Sequence, residues 1–105
     1  MKIAEYMTRV LAHKQVRHIF GYPGAAILPL VEAVEAESQM KWIFTRHEAN
    51  ASLAASATAS LTGRLGVCVA TSGPSMSNLA TGLLNAQLDR LPLLAITGEI
   101  PLSAQ

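Results

Sequence analysis

The sequence predicts an α/β fold, a doubly wound and largely parallel sheet with helices on both faces. Segments with apolar residues at helical spacing alternate with short β-branched or aromatic runs, in the order αβαβαβαβ. One of those runs, Leu65 to Thr71, is almost wholly apolar, as suits a strand covered on both faces. The connections are only a few residues long and carry glycine and proline just past the strand-like runs, at Gly21-Tyr22-Pro23-Gly24, Gly73-Pro74 and Gly98 to Pro101.

From Lys2 to Lys14, Ile3, Tyr6, Met7, Val10 and Leu11 recur on one helical face, the stripe that seats an amphipathic helix on a sheet. Val16 to Phe20 reads as a strand that stops at the Gly21 turn. Ala25 to Glu37 places Ile27, Leu28, Val31 and Val34 at helical spacing, and Lys41 to Thr45 is strand-like again. Glu48 to Leu61 consists almost entirely of Ala, Ser, Thr and Leu, a smooth surface that lets a neighbour approach closely, so a mostly buried helix closed by Gly63 is expected. After the Leu65 to Thr71 run, Pro74 suits the first turn of a helix, where the N–H it lacks would have no partner. That helix is expected over Ser75 to Leu88 with Leu79 and Leu83 inward, followed by a last strand from Leu93 to Thr97.

With 105 residues, 50% hydrophobic and 14% charged, the chain has the size and apolar content of one compact unit. A formal charge of +1 without a basic run excludes nucleic acid as a partner. Lys2, Glu5, Arg9 and Lys14 exclude a signal-peptide core at the start, and no uncharged apolar stretch is long enough to span a membrane. The single cysteine, Cys68, excludes an internal disulfide and a cysteine-based zinc site, which makes the cytoplasm the expected compartment. Flanked by Val67 and Val69, it reads as a buried strand residue. His13 and His18 share no ligand spacing with each other or with Cys68, so no protein-held metal is expected.

In a doubly wound sheet, ligands gather outside the carboxyl ends of the strands, here Gly21 to Ala25, Arg46 to Glu48, Ser72 to Ser75 and Gly98 to Pro101. Glu48 opens a helix at that edge. On position alone it has two readings: a ligand-facing carboxylate, or an acid that complements the helix dipole for about 0.3–1 kcal/mol. His47 reads as a packing or interface residue.

Gly21-Tyr22-Pro23-Gly24, Arg46-His47-Glu48, Ala70 to Pro74 with Asn78, and Leu88 to Glu99, in that order and spacing, resemble the amino-terminal domain of thiamine-diphosphate-dependent enzymes. The resemblance is nearest to the acetolactate synthase and pyruvate oxidase group and covers residues 1–105. It implies an incomplete flavodoxin-like domain that binds the pyrimidine end of thiamine diphosphate. Glu48 then matches the catalytic glutamate, whose carboxyl, bonded to a ring nitrogen, helps the cofactor lose a proton from its thiazolium carbon. Tyr22, Pro23, Gly24, Ala25, Glu48, Pro74 and Asn78 match the cofactor-binding positions. A carboxyl in an apolar pocket is expected to titrate high, because desolvation disfavours its charge.

Against the family pattern, Ser75 stands in place of a second glycine, which would strain the turn if that position needs positive φ. Glu99 stands where glutamine is common, and Ala49 replaces a frequent polar residue. The resemblance further implies magnesium and FAD held by domains absent from this stretch, a 2-oxo acid substrate, and either a homo-oligomer or a complementing subunit that carries the diphosphate-binding domain. Alone, the chain is expected to bind the cofactor weakly and catalyse nothing, with an exposed sheet edge and an apolar helix face that favour association. The alternatives are a pyruvate oxidase or decarboxylase-like branch, a split enzyme, and a noncatalytic α/β module for subunit contact.

Overall fold

Four strands, β1 (His18–Gly21), β2 (Lys41–Phe44), β3 (Gly66–Ala70) and β4 (Leu93–Thr97), form one parallel sheet in the order β2-β1-β3-β4. The computed structural model describes residues 1–104. The helices are α1 (Ile3–His13), α2 (Leu28–Ala36), α3 (Glu48–Thr62), α4 (Pro74–Ser77) and α5 (Ala80–Leu88). The expected alternation and parallel sheet are therefore present.

Strand residues alternate between two cores because successive side chains leave opposite faces of a strand. Ile19, Val67 and Val69 meet Leu11, Ile27, Leu30, Val31 and Val34 on the α1–α2 side. Cys68 and Ala70 meet Ala51, Ala55 and Leu79 on the α3–α5 side, with Phe20, Leu93 and Ala95 packed around them. Every residue of β3 is buried, as its apolar run requires. Burial pushes the Cys68 thiol up to about 11, in keeping with a strand residue that takes no part in chemistry.

Three expectations change. The helix expected over Ser75 to Leu88 is divided into α4 and α5. At the break the Leu79 N–H turns to the Met76 carbonyl, three residues back, and the Gly82 N–H is taken by the Ser52 hydroxyl of α3. The Ala25 to Glu37 segment opens with a single 3-10 turn, Ala25–Ile27, before α2 begins beside Pro29. Finally, α3 is buried on one face only, along Glu48, Ala51, Ser52, Ala55, Ser56 and Ala59, while Leu61 is exposed.

The α1 stripe is only half used. Helix α1 packs beside α2 and turns Thr8 and Leu11 inward, leaving Ile3 and Tyr6 exposed. Tyr6, Met7, Val10 and Leu11 line an apolar hollow of about 210 Å³ together with Leu94 and Ile96 of β4. Strand β4 pairs with β3 alone among the described residues, so the exposed edge and apolar helix face expected from the sequence lie side by side.

The strand order reverses between β1 and β3, the place at which a doubly wound sheet gathers its ligands along the carboxyl edge. Both flanking loops, after β1 and after β3, belong to the stretches singled out in the sequence.

Candidate functional site

Glu48 reaches the carboxyl edge because α3 starts only four residues after β2 ends. His47 shapes that start. Its backbone is extended (φ −148°, ψ 141°), and its Nδ1 accepts the Ala49 N–H at 3.0 Å, capping the helix. The residue read as a packing or interface histidine is thus an N-cap. His47→Ala is expected to cost about 0.5–2 kcal/mol in urea denaturation, and His47→Asn, with a side-chain acceptor of its own, to recover most of it.

The Glu48 side chain is 9% exposed, low for a carboxylate. Asn78, just past α4, donates from Nδ2 to Glu48 Oε1 at 3.2 Å. Ser75 stands on the same side, and its hydroxyl oxygen accepts the Thr71 N–H from the end of β3 at 3.1 Å. Burial pushes the Glu48 carboxyl up, but the Ser75 hydroxyl, the residue's own backbone amide, the Asn78 amide and the neighbouring His47 ring together outweigh it. The net displacement is downward from the ordinary value of 4.5. The raised value expected from an apolar pocket is therefore reversed, because donors on the α4 side solvate the charge in place of water.

A carboxyl that titrates low in the folded state contributes stability above its unfolded pKa and loses it as pH falls through the folded one. The urea midpoint is accordingly expected to drop as pH is lowered below 4.5, and to drop less in Glu48→Gln, which has no such proton to take up.

Ser75 does not strain the turn. The positive φ of this loop belongs to Gly73 (+66°), while Ser75 lies inside the helical turn α4. The departure from the second glycine places a hydroxyl beside the carboxylate, a consequence that only the geometry reveals.

Of the other residues selected from the sequence, Gly24 lies against Thr71, whose N–H the Ser75 hydroxyl accepts. A Cβ built on it would lie 2.7 Å from the Thr71 Cβ, so the loop after β1 can touch the end of β3 only without a side chain there. Tyr22, Pro23 and Ala25 stand exposed on that loop, and Pro74 is exposed at the start of α4. Glu99 is exposed beyond β4, its Oε1 accepting the Ile100 N–H at 2.8 Å.

Two features fit the pyrimidine end of thiamine diphosphate. One is the buried carboxylate beside a helix start. The other is the Asn78 amide, which holds that carboxylate at 3.2 Å. Among the described residues no group of three or more His, Cys, Asp or Glu is placed to hold a metal ion, so the residues present do not fit the magnesium end. No helix of the described residues is long and apolar enough to cross a membrane.

Comparison with known proteins identifies a family. The family described as thiamine pyrophosphate enzyme, N-terminal TPP binding domain, matches residues 1–105. The acetolactate synthase of Arthrospira platensis is 50% identical over 92 residues, covering 85% of this chain and 16% of that protein. The acetolactate synthase isozyme 2 large subunit of Escherichia coli is 43% identical over 100 residues, covering 95% of this chain and 18% of that protein. The probable acetolactate synthase large subunit of Methanocaldococcus jannaschii is 46% identical over 101 residues, covering 96% and 17%. The chain spans about a sixth of the length of these relatives.

Proposed function

The chain belongs to the thiamine pyrophosphate enzymes through their N-terminal TPP-binding domain, and from that premise we propose that it is the cofactor-activating part of an acetolactate-synthase-type enzyme acting on 2-oxo acids. The observation that carries this reading is the buried Glu48 carboxylate, held at the carboxyl edge of the sheet by Asn78.

Thiamine diphosphate, when bound, supplies a carbon nucleophile for attack on a 2-oxo acid carbonyl. Glu48 holds the proton exchanged with a pyrimidine ring nitrogen. Asn78 and Ser75 orient its carboxylate, and Gly24 lets the loop after β1 close toward it. Tyr22, Pro23, Ala25 and Pro74 form the outer walls. The carboxyl is held in its charged form in the free chain. A ring laid over its open side excludes water and strengthens desolvation, the effect that already pushes Glu48 upward, and so brings the proton within reach near neutral pH.

The diphosphate, its magnesium and any FAD belong to other domains of the enzyme, carried by a subunit that completes the site, and the whole works in the cytoplasm. The relatives favour the acetolactate synthase branch over the pyruvate oxidase and decarboxylase branches. A pure subunit-contact module would have no use for the buried carboxylate.

Exchange of this chain for the matching segment of the Escherichia coli isozyme 2 large subunit tests the proposal. The exchanged enzyme is expected to retain thiamine diphosphate and form acetolactate from pyruvate. A folded, assembled enzyme that retains no cofactor would overturn the reading.

A further inference from the structure

Along one face of α3, Glu48, Ser52 and Ser56 follow one another at a spacing of four, and Asn78, Gly82 and Ala86 do the same opposite them. The two rows are joined by rungs. Asn78 Nδ2 donates to Glu48 Oε1 at 3.2 Å, the Gly82 N–H donates to Ser52 Oγ at 3.1 Å, and Ser56 Oγ donates to the Gly82 carbonyl at 3.0 Å. Ser52 and Ser56 are 0% and 2% exposed, so water does not compete for these hydroxyls. The Ser52 hydroxyl proton goes to the Ala49 carbonyl at 3.0 Å, in the turn that carries Glu48.

The spacing of the rows is fixed as well as their register. A Cβ on Gly82 would lie 2.3 Å from the Ser52 carbonyl carbon and from its Oγ. Only a glycine allows the helices to meet at this distance, and both of its backbone polar groups are clasped by α3. The remaining bonded hydroxyls of α3 are of another kind: Thr58 and Thr62 bond carbonyls of their own helix.

We propose that Ser52 and Ser56 are positioning residues, which clasp Gly82 and so set the height of α5 against α3 that keeps Asn78 on the Glu48 carboxylate. The clasp extends the reading of Glu48 as the cofactor-facing group and rests on it for its catalytic meaning. The groups facing Glu48 are Ser75 and Asn78 from the α4 side and His47 from its own helix start.

The test uses the chain itself, with the Glu48 carboxyl carbon and the Asn78 side-chain amide followed by NMR through a pH titration. In S52A and in S56A the Glu48 midpoint is expected to move up and the Asn78 amide to lose its response to Glu48 ionisation. T58A, which removes a hydroxyl that serves only its own helix, is expected to fold and to leave the Glu48 midpoint in place. Should S52A fail to fold, S56A breaks only the rung to the Gly82 carbonyl and carries the same expectation. A folded S56A with an unmoved Glu48 titration, or an equal displacement in T58A, would overturn the proposal. The titration needs no cofactor, so a failure of thiamine diphosphate binding would count against the proposed function and leave this result standing.

Discussion

Glu48→Gln is expected to lower turnover about 10²–10⁴-fold in the Escherichia coli enzyme carrying this chain, the usual range for loss of a positioned acid–base group. The amide has nearly the volume of the acid and can still accept from Asn78, so the packing of α3 survives and the loss is chemical. The 2-oxo acid KM is expected to change little, because the carboxyl serves the cofactor and a residue used only in the chemical step affects kcat. Steady-state kinetics with the cofactor saturating separates the two. A Gln variant within a few-fold of the parent would remove Glu48 from the mechanism. Asn78→Ala makes a smaller version of the same point: Glu48 keeps its charge but loses a partner, and its titration moves up toward the ordinary value.

Gly66→Ala is expected to have the largest effect on stability. A Cβ at this position would lie 2.1 Å from the Ala55 carbonyl oxygen and 3.3 Å from Leu93 Cδ1. Overpacking costs about 1–3 kcal/mol where neighbouring side chains can yield. Here the obstacle is the backbone of α3, pressed onto β3 on one side and clasped to Gly82 on the other, so the cost is expected at or above the top of that range. Against a total of about 5–15 kcal/mol for an ordinary domain, this removes a large fraction of the stability. Urea denaturation measures it, and a loss below about 1 kcal/mol would mean that α3 is free to move off the sheet.

The parts of this architecture that depend on burial alone were legible in the residues. The Val67-Cys68-Val69-Ala70 run could only be a central strand, and alternating apolar segments with short connections left little but a parallel sheet. Glu48 was a candidate from its place after β2, with a helix-dipole role as the other reading, and Asn78 entered only through the family resemblance. Features decided by distant partners were not. The break at Asn78 and Leu79 depends on Ser52, thirty residues away, drawing the Gly82 N–H out of the helix. The burial of α1 depends on what stands beside β4, which local periodicity does not encode. The direction of the Glu48 displacement depends on Ser75, which as a letter in a motif looked like a missing glycine and in space is a hydroxyl near a carboxylate. One further signal was present and unread: the spacing of Glu48, Ser52 and Ser56 against Asn78 and Gly82 marks two facing rows.

The most direct measurement is the ¹⁵N chemical shift of the pyrimidine ring nitrogen in labelled thiamine diphosphate bound to the enzyme carrying this chain, with Glu48 and with Gln in its place. A carboxyl bonded to that nitrogen shifts its signal toward the protonated form, and Glu48→Gln is expected to return it to the value of the unprotonated ring. The same shift in both proteins, with the cofactor fully bound in each, would contradict the assignment of Glu48 to the ring.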